Sequence, residues 1–219
     1  MEDLVTARGM VLKHSPYGDY DWVVTILTAE RGKITAFAKG ARKVGNRLCG
    51  TVEPFCFGSF KLYASRTSYN IVEADIENYF EGFRQDLETA CYGTFFLEIA
   101  SYYTRENNED VDILNLLYLS LRALLKDNIS NVLTRCVFEL RALQIEGEYP
   151  GEPSDMNLSD SARYALSFIV SSPMEKLFTF KVSDEVLSEI ALVVRLFRKR
   201  FIDRKLLSME MLSAFDACL

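Results

Sequence analysis

The feature that most constrains the fold of this chain is a change in the spacing of its apolar residues near Phe83. Before that point, short runs rich in β-branched residues alternate with turn-forming residues, a pattern typical of β-strands. After it, apolar residues recur every three to four positions, which is typical of helices that bury one face. The change predicts an α+β chain in which the strands come first and the helices follow.

Five strands are predicted in the first 80 residues, separated by turns such as PYGDYD at 16–21. They cover residues 5–13, 22–28, 33–39, 53–65 and 68–80. Gly58 lies inside the fourth strand and predicts a bulge or a bend there. Five short strands with a long connection between the third and the fourth favour a β-barrel of the oligonucleotide/oligosaccharide-binding (OB) type.

The rest of the chain predicts an all-helical domain, so we expect two domains, 1–80 and 81–219. The predicted helices cover residues 86–105, 111–126, 130–146, 159–171, 183–202 and 208–215. Asp86 and Ser208 are of residue types that favour the start of a helix. The fifth helix carries an apolar stripe that we assign to the core, formed by Leu187, Ile190, Val194, Phe197 and Phe201.

The sequence lacks the glycine-rich nucleotide motifs, the nucleophile elbow and the zinc-protease motif that mark large enzyme classes. Its only histidine is His14, which excludes metal sites and catalytic pairs that need two histidines. Irregularly spaced cysteines predict free thiols rather than disulfides or a zinc site. They are Cys49, Cys56, Cys91, Cys136 and Cys218. We therefore expect no enzyme, no cofactor and no bound metal.

Nothing in the sequence predicts a membrane protein or a secreted one. No run of 18 apolar residues is present, so no segment is expected to span a membrane. The N-terminal run MEDLVTARGMV begins with acids and lacks the apolar segment of a signal peptide. We expect a cytoplasmic protein.

One basic segment stands out because the whole chain is acidic, with a net charge of −6. From residue 31 to residue 47, six of seventeen residues are Lys or Arg and none is acidic. We call residues 39–47, which follow the third strand, the basic loop. The candidate cations are Lys39, Arg42, Lys43 and Arg47 in the loop, with Arg31, Lys33 and Arg8 as outer candidates. Gly40 and Gly45 allow close approach of a phosphate backbone, so the pattern is typical of nucleic-acid binding.

Spacing alone leaves two interpretations of the basic loop open. It either follows a nucleic-acid backbone, or it is a solvated loop that pairs with acids of the helical part. Aromatic residues near the loop favour the first slightly, because some could stack on bases while most fill the barrel. They are Phe37, Phe55, Phe57, Phe60 and Tyr63. The alternative functions are a protein-interaction adaptor whose barrel is only a scaffold, and a metal-dependent nuclease that uses Asp19 and Asp21.

Three segments of the chain resemble a known family. The run GMVLKHSPYGDYDWVVTILTAERGKITAFAKGARK at 9–43 resembles the N-terminal segment of RecO, a family of bacterial recombination mediators. EPFCFGSFKLY at 53–63 is similar to the fourth strand of that family, and FIDRKLLSMEML at 201–212 is similar to its C-terminal signature. The likeness covers the barrel well and the helices more loosely.

The resemblance implies an OB barrel followed by a helical domain, and a function in DNA repair. RecO-like proteins bind single- and double-stranded DNA, anneal complementary strands, and help load the RecA recombinase onto strands coated by single-stranded-DNA-binding protein (SSB). They work with RecR and bind the acidic C-terminal tail of SSB, so DNA, RecR and this tail are the expected partners at the bacterial nucleoid. Arg195, Arg198 and Lys199 on the fifth helix either complement the helix dipole or receive that tail.

The chain departs from the family at one place. Many members carry four cysteines as a zinc module after the third long helix. Here the corresponding stretch, GEYPGEPSDMNLSDSARYAL at 147–166, contains no cysteine. The resemblance therefore does not extend to zinc, and contacts that depend on that module are not carried over.

Overall fold

The structure, a computed structural model, describes residues 3–65, 68–153 and 156–217. Within these ranges five strands are followed by six α-helices, so the predicted α+β order is confirmed. The strands are β1 (Asp3–Tyr17), β2 (Asp21–Thr28), β3 (Gly32–Ala38), β4 (Phe57–Ala64) and β5 (Tyr69–Asn78). The helices are α1 (Leu87–Tyr103), α2 (Val111–Leu124), α3 (Asn131–Ile145), α4 (Asp160–Ser171), α5 (Asp184–Phe201) and α6 (Ser208–Leu212). Short 3₁₀ turns cover Glu81–Arg84 and Met174–Lys176.

The five strands close into a barrel in the order β1-β2-β3-β5-β4. Neighbouring strands pair antiparallel, except that β3 and β5 run parallel. That parallel pairing is short, joining Ala36 to Tyr69 and Phe37 to Asn70. The predicted OB barrel is confirmed by this closed order.

Two glycines let the backbones of the barrel come close together. Gly9 and Gly58 face each other across the β1–β4 ladder. A Cβ atom on Gly9 would lie 2.2 Å from the Leu27 carbonyl oxygen, and one on Gly58 would lie 2.1 Å from that of Asp75. Only glycine fits such an approach. The irregularity predicted at Gly58 is confirmed, because the β4–β5 register shifts between Phe57 and Gly58.

Alternation along the strands builds the barrel core. On β3, Ile34 and Ala36 are buried while Thr35 between them is exposed, as expected when successive side chains point to opposite faces. The loop after β3 adds Ala41, Leu48, Val52 and Cys56 to the same core. The long β3–β4 connection is therefore attached to the barrel along its length.

Two strand boundaries differ from the prediction by four residues, and the others by at most two. β4 begins at Phe57 rather than at residue 53, because a turn from Glu53 to Cys56 precedes it, with the Cys56 N–H donating to the Glu53 carbonyl oxygen at 3.1 Å. β1 continues through Pro16 to Tyr17. This end of β1 pairs only with β2, where a residue without an N–H donor is tolerated.

The chain forms two compact units, and two of its helices contribute to both. The barrel unit comprises Met1–Glu81 with Ala100–Leu114, and the helical unit comprises Gly82–Ile99 with Asn115–Leu219. In the barrel unit, the segment between α1 and α2 bridges β3, with the Lys33 N–H donating to the Arg105 carbonyl oxygen at 3.0 Å. None of the helices in the described ranges is long and apolar enough to cross a membrane.

Helix starts in the helical unit follow the capping residues. Ser130, Ser159 and Ser183 precede α3, α4 and α5, and each hydroxyl accepts a hydrogen bond from a backbone N–H of the first turn. Asp86 does the same for α1, whose Glu88 N–H donates to its carboxylate at 3.2 Å. The helix start predicted at Asp86 is therefore confirmed to within one residue.

Candidate nucleic-acid interface

The basic loop is built as a series of tight turns. The Lys43 N–H donates to the Gly40 carbonyl oxygen at 2.9 Å, and the Asn46 N–H donates to that of Lys43 at 3.1 Å. Gly40 and Gly45 have φ angles of 68° and 82°, a left-handed conformation that other residues adopt at a cost. The two glycines named from the sequence thus let the chain reverse direction twice within the loop.

Apolar side chains attach the basic loop while its cations face solvent. Ala41 and Leu48 are 2% and 4% exposed and pack in the barrel core. The four predicted loop cations are all exposed, and they are Lys39, Arg42, Lys43 and Arg47. Within residues 3–65, 68–153 and 156–217, none of the four forms an ion pair with an acid. Their charges are therefore open to a ligand.

The turn between β1 and β2 is hydrogen-bonded to the basic loop. We call residues 17–22 the aromatic turn, because they include Tyr17, Tyr20 and Trp22. The Arg42 N–H donates to the Tyr20 carbonyl oxygen at 2.9 Å, and the Gly40 N–H donates to the Asp21 carboxylate at 2.7 Å. These bonds fix the aromatic turn beside the loop cations.

The two carboxylates of the nuclease alternative, Asp19 and Asp21, lie in the aromatic turn. The Asp21 carboxylate is engaged by the Gly40 N–H, while Asp19 is exposed at the tip of the turn. The part of the chain that the structure describes contains no group of three or more His, Cys, Asp or Glu side chains placed to hold a metal ion. Asp21 thus acts as a cap for the basic loop, a usual role for aspartate in turns.

Two loop cations lie over rings of the aromatic turn. The Arg42 guanidinium carbon is 5.1 Å from the centroid of the Trp22 ring, and the Lys43 Nζ is 4.5 Å from that of Tyr20. Trp22 also stacks with His14, with ring centroids 4.0 Å apart and an interplanar angle of 5°. Cation–π attraction limits the motion of the long basic side chains. The result is a surface on which positive charge and aromatic rings alternate.

The outer candidates make bonds within the barrel unit. Arg8 donates two hydrogen bonds to the Glu77 carboxylate, at 2.9 and 2.6 Å, and this interaction lowers the pKa of Glu77. Arg31 lies 6.0 Å from the ring centroid of Tyr69. The Nζ of Lys33 donates to the Ser101 carbonyl oxygen near the C-terminal end of α1, where the helix dipole favours a cation. Hydrogen bonds within the barrel unit therefore separate Arg8 and Lys33 from the four loop cations, whereas Arg31 makes a cation–π contact as Arg42 and Lys43 do.

Two acids of β5, Glu73 and Glu77, have basic partners outside the basic loop. Glu73 accepts a hydrogen bond from the Lys61 Nζ at 2.6 Å. That bond and the charge of Lys61, with a smaller contribution from Arg47, hold the pKa of Glu73 below its usual value. Since Glu77 is paired with Arg8, neither acid draws the loop cations into an ion pair.

The aromatic residues beside the loop are not those weighed from the sequence. Of the five weighed from the sequence, only Phe60 belongs to the barrel core, so the expectation that most of them fill the barrel is wrong; Phe57 is buried at 6% exposure but lies under the Arg8 guanidinium. Tyr17 and Tyr20 are more exposed, at 55% and 52%. These tyrosines are visible in the run PYGDYDW, but only the hydrogen bonds that join this turn to the basic loop show that they lie beside it.

Arg198 is buried in the helical unit, whereas the sequence placed it with Arg195 and Lys199 on an exposed face of α5. It is 5% exposed, and one of its terminal nitrogens donates to both carboxylate oxygens of Glu139 at 2.9 Å. The stripe prediction is correct for Ile190, Val194 and Phe197, which are buried, while Leu187 and Phe201 are half-buried. The physical reason for the error is that Glu139 lies on α3, far away in sequence.

The Arg198–Glu139 pair is part of a larger buried network. Glu139 also accepts a hydrogen bond from Arg135 at 2.7 Å, and Arg135 donates to Asp216 at 2.6 Å. Arg135 is fully buried and Asp216 is 2% exposed. The network joins α3, α5 and the segment after α6.

A groove of about 740 Å³ lies between the end of α5 and α6, and we call it the C-terminal groove. Its lining includes Arg195 and Lys199, both exposed, together with apolar Ile202, Leu206 and Met209. Lys205 also lines it and is paired with Glu210. The groove thus combines open positive charge with an apolar surface.

Glu98 on α1 caps the first turn of α6, which forms one wall of this groove. Its carboxylate accepts hydrogen bonds from the backbone N–H groups of Leu207 and Ser208, each at 2.9 Å, and from the Ser208 hydroxyl at 2.6 Å. Burial acts to raise the pKa of Glu98, but these bonds and the charge of Arg204 outweigh it and lower that pKa. The position of α6 therefore depends on an ionised side chain.

The cysteines are placed as free thiols over the described ranges. Cys49 is exposed in the β3–β4 connection, while Cys56, Cys91 and Cys136 are buried. Burial raises the pKa of Cys136 to about 12, so its thiol stays protonated. Cys218 lies outside the described residues.

Comparison with known proteins assigns both parts of the chain to one family. Residues 1–80 match the family model described as "Recombination protein O N terminal", and residues 84–151 match the one described as "Recombination protein O C terminal".

Individual relatives agree with these matches, and each carries the name "DNA repair protein RecO". The protein of Acetivibrio thermocellus is 27% identical over 240 aligned positions, which cover 95% of this chain and 96% of the relative. That of Alkaliphilus metalliredigens is 31% identical over 147 positions, covering 67% of this chain and 60% of the relative. That of Bacillus subtilis is 29% identical over 147 positions, covering 67% and 57%.

Proposed function

Because the chain belongs to the RecO family of DNA repair and recombination proteins, we propose that it binds single- and double-stranded DNA through the basic loop of its barrel. One observation carries the proposal. Four exposed cations without an acidic partner in the described ranges lie together on a chain whose net charge is −6. An acidic protein that concentrates unpaired positive charge in one loop has the electrostatic footprint of a phosphate-binding site.

Binding through this loop is independent of base sequence. The side chains of Lys39, Arg42, Lys43 and Arg47 reach phosphates as point charges or forks, and such contacts carry no sequence information. The barrel type supports the same assignment, since OB folds are common carriers of single-strand binding. The residues 1–80 form the DNA-binding domain in this proposal, and 81–219 form the partner-binding domain.

We also propose the wider role that goes with the family. The protein anneals complementary strands and, together with RecR, helps load RecA onto SSB-coated single strands, with no catalytic step of its own. It works in the bacterial cytoplasm at the nucleoid. Membership of a family of bacterial DNA repair proteins supports this role.

The acidic C-terminal tail of SSB is the ligand we propose for the C-terminal groove. Arg195 and Lys199 line the groove as exposed cations suited to carboxylates, and the half-buried Ile202 and Met209 offer an apolar surface for an apolar chain end. Arg198, named with them from the sequence, also lines the groove, but it is 5% exposed and its guanidinium is bonded to Glu139, so we assign it a supporting role through the buried network.

Fluorescence anisotropy with a labelled oligo-dT strand and a labelled duplex of equal length tests DNA binding. Both should bind at 50 mM salt, and affinity for the single strand should fall steeply by 200 mM because bound counterions are released. Trp22, the only tryptophan in the chain, lies under Arg42 and gives a second signal from the site itself. If neither DNA binds at 50 mM salt, the proposal is refuted.

A peptide with the acidic SSB tail sequence tests the C-terminal groove by calorimetry. Arg195→Ala with Lys199→Ala should weaken the peptide by at least about tenfold, equal to roughly 1.4 kcal/mol, and leave DNA affinity unchanged. The matched control is Lys126→Ala with Lys176→Ala, which removes two exposed cations elsewhere in the helical unit. Equal peptide affinity in both double variants would place the site outside the groove.

The adaptor alternative is favoured only by the C-terminal groove, and the same two experiments separate it from DNA binding. An adaptor whose barrel is a scaffold binds the peptide and binds no DNA in a salt-dependent way. The proposed mediator does both.

A further inference from the structure

Two tyrosines of the aromatic turn leave large apolar surfaces in water. Tyr17 and Tyr20 are 55% and 52% exposed, although each belongs to a turn that is well fixed on the barrel. Exposed aromatic residues grouped beside charge are typical of binding surfaces. The proposed phosphate contacts of the basic loop do not use these rings.

Both rings are held in place before any ligand arrives. Tyr17 contacts Phe37 edge-on, with ring centroids 5.1 Å apart and an interplanar angle of 64°. The backbone of Tyr20 is fixed by its carbonyl oxygen, which accepts the Arg42 N–H at 2.9 Å, and its ring centroid lies 4.5 Å from the Lys43 Nζ. Rings that are already ordered lose little conformational freedom on binding, which favours affinity.

The neighbouring charges indicate which ligand the rings accept. The Lys43 Nζ is 4.5 Å from the Tyr20 centroid, so a base stacked on this ring has its own phosphate within reach of the same ammonium group. Asp21 is engaged by the Gly40 N–H, and the exposed Asp19 repels phosphates from the tip of the turn towards the basic loop. A chain of alternating anions and flat rings fits this surface, and a nucleic-acid strand has that composition.

Paired bases cannot use these rings, because each base in a duplex is stacked between its neighbours. We propose that Tyr17 and Tyr20 stack on unpaired bases, so that the aromatic turn, and not the basic loop, makes the protein prefer single strands over duplexes. The proposal rests on the DNA binding assigned above to the basic loop. In this proposal the loop cations bind the phosphate backbone of any DNA, and the two tyrosine rings bind only bases that are not paired.

The test compares three labelled probes of equal length: an oligo-dT strand, a strand of abasic sites, and a duplex. Stacking contributes about 1–3 kcal/mol per base, so the parent protein should bind oligo-dT at least about tenfold more tightly than the abasic strand. Tyr17→Ala with Tyr20→Ala should bind these two strands equally, with duplex affinity unchanged within about twofold. Tyr164→Ala is the control, because Tyr164 is 74% exposed on α4 of the helical unit.

A second double variant, Tyr17→Leu with Tyr20→Leu, keeps apolar side chains in the turn and removes only the flat rings. It should behave as the alanine variant does, with an unchanged far-UV circular dichroism spectrum. If both double variants keep the preference for oligo-dT, the stacking proposal is wrong. If the parent binds all three probes alike in a salt-dependent way, stacking fails and the basic-loop proposal stands. If the parent binds none of them, both fail.

Discussion

The cations of the basic loop and the buried cations of the helical unit have opposite surroundings. In the basic loop, Arg42 and Lys43 are exposed and lie on aromatic rings, without an ion pair to any described acid. In the helical unit, Arg135 and Arg198 are buried at 0% and 5% exposure and share the carboxylate of Glu139. The first arrangement leaves charge for a ligand, and the second uses it to join α3 to α5.

The difference shows that the role of a basic residue is decided by the acids near it in space. Residues 31–47 contain no acid, and no distant segment supplies one to the loop cations within the described ranges. The region around Arg198 is also poor in acids along the chain, yet Glu139, 59 residues away, pairs with it. Charge spacing therefore identified the basic loop correctly as a basic surface and misplaced Arg198.

The buried cations persist because their charges are fully compensated. Burial opposes the charged state of Arg135, but the carboxylates of Glu139 and Asp216 hold its pKa above the usual value. Removing one member of such a network leaves its partner as a buried unpaired charge, and this is strongly destabilising. We therefore expect substitutions of the buried cations to reduce stability, and substitutions of the loop cations to reduce DNA affinity.

The largest effect is expected for Arg135→Met. The substitution removes the Arg135 guanidinium from the buried carboxylates of Asp216 and Glu139, so the free energy of unfolding should fall by about 3–5 kcal/mol. Urea unfolding followed by circular dichroism measures this. Arg195→Met, on the exposed face of α5, is the matched control and should change stability by less than about 0.5 kcal/mol. Equal losses for the two variants would remove the distinction between buried and exposed cations.

Charge reversal in the basic loop should have the complementary effect. Arg42→Glu with Lys43→Glu should weaken binding to every DNA sequence by more than about tenfold, or 1.4 kcal/mol, because two attractive phosphate contacts become repulsive. The free energy of unfolding should change by less than about 1 kcal/mol, because both side chains are exposed. Anisotropy measures the DNA affinity, and urea unfolding measures the free energy of unfolding. A variant that loses stability but keeps its DNA affinity would show that Arg42 and Lys43 stabilise the fold and do not contact phosphates.

Glu98→Gln tests a charge of the opposite sign that supports the C-terminal groove. The amide is a weaker acceptor for the Leu207 and Ser208 N–H groups, so stability at neutral pH should fall by about 1 kcal/mol, the usual range for a helix cap. Urea unfolding at pH 7 measures the loss.

The pH dependence of that effect has a definite sign. The pKa of Glu98 is lowered from its ordinary value of 4.5 in the folded protein, so the unfolded chain takes up the proton first as pH falls. Its contribution to stability is therefore full above about pH 5 and disappears as the pH falls through the folded pKa. The difference in stability between parent and Glu98→Gln should shrink over that range. A difference that stays constant from pH 7 to pH 3 would contradict the capping role.

Arg8 is an intermediate case, exposed yet paired, and should give the smallest effect. Its side chain is 55% exposed and bonded to Glu77, so Arg8→Gln should reduce stability by no more than about 1 kcal/mol. DNA affinity should change by less than about threefold, because the outer cations are not in the phosphate-binding group. A tenfold loss of DNA affinity would extend the interface onto β1.

Local sequence signals predicted the fold closely because they act over a few residues. The alternation in β3, the helix start at Asp86 and the irregularity at Gly58 each depend on a few neighbouring residues of the chain. The start of β4 was misplaced because the EPFC run has the composition of a strand, while its backbone turns at Phe55 with a φ of 74°.

The candidate site was less predictable, because it depends on contacts between distant segments. The basic loop was recognisable from its own residues, but Tyr20 became relevant only through its hydrogen bond to Arg42, 22 positions later. The burial of Arg198 likewise depends on Glu139. Neither pairing has a signal in spacing along the chain.

The salt dependence of single-strand binding tests the central claim most directly. For about four phosphate contacts, the logarithm of the association constant should fall against the logarithm of the salt concentration with a slope of roughly −3. The comparison is a variant in which Lys39, Arg42, Lys43 and Arg47 are all replaced by Gln, with its fold checked by circular dichroism. Our account predicts a slope near zero and a large loss of affinity for that variant at low salt. A variant that keeps the parent's slope and affinity would show that the DNA lies elsewhere on the molecule.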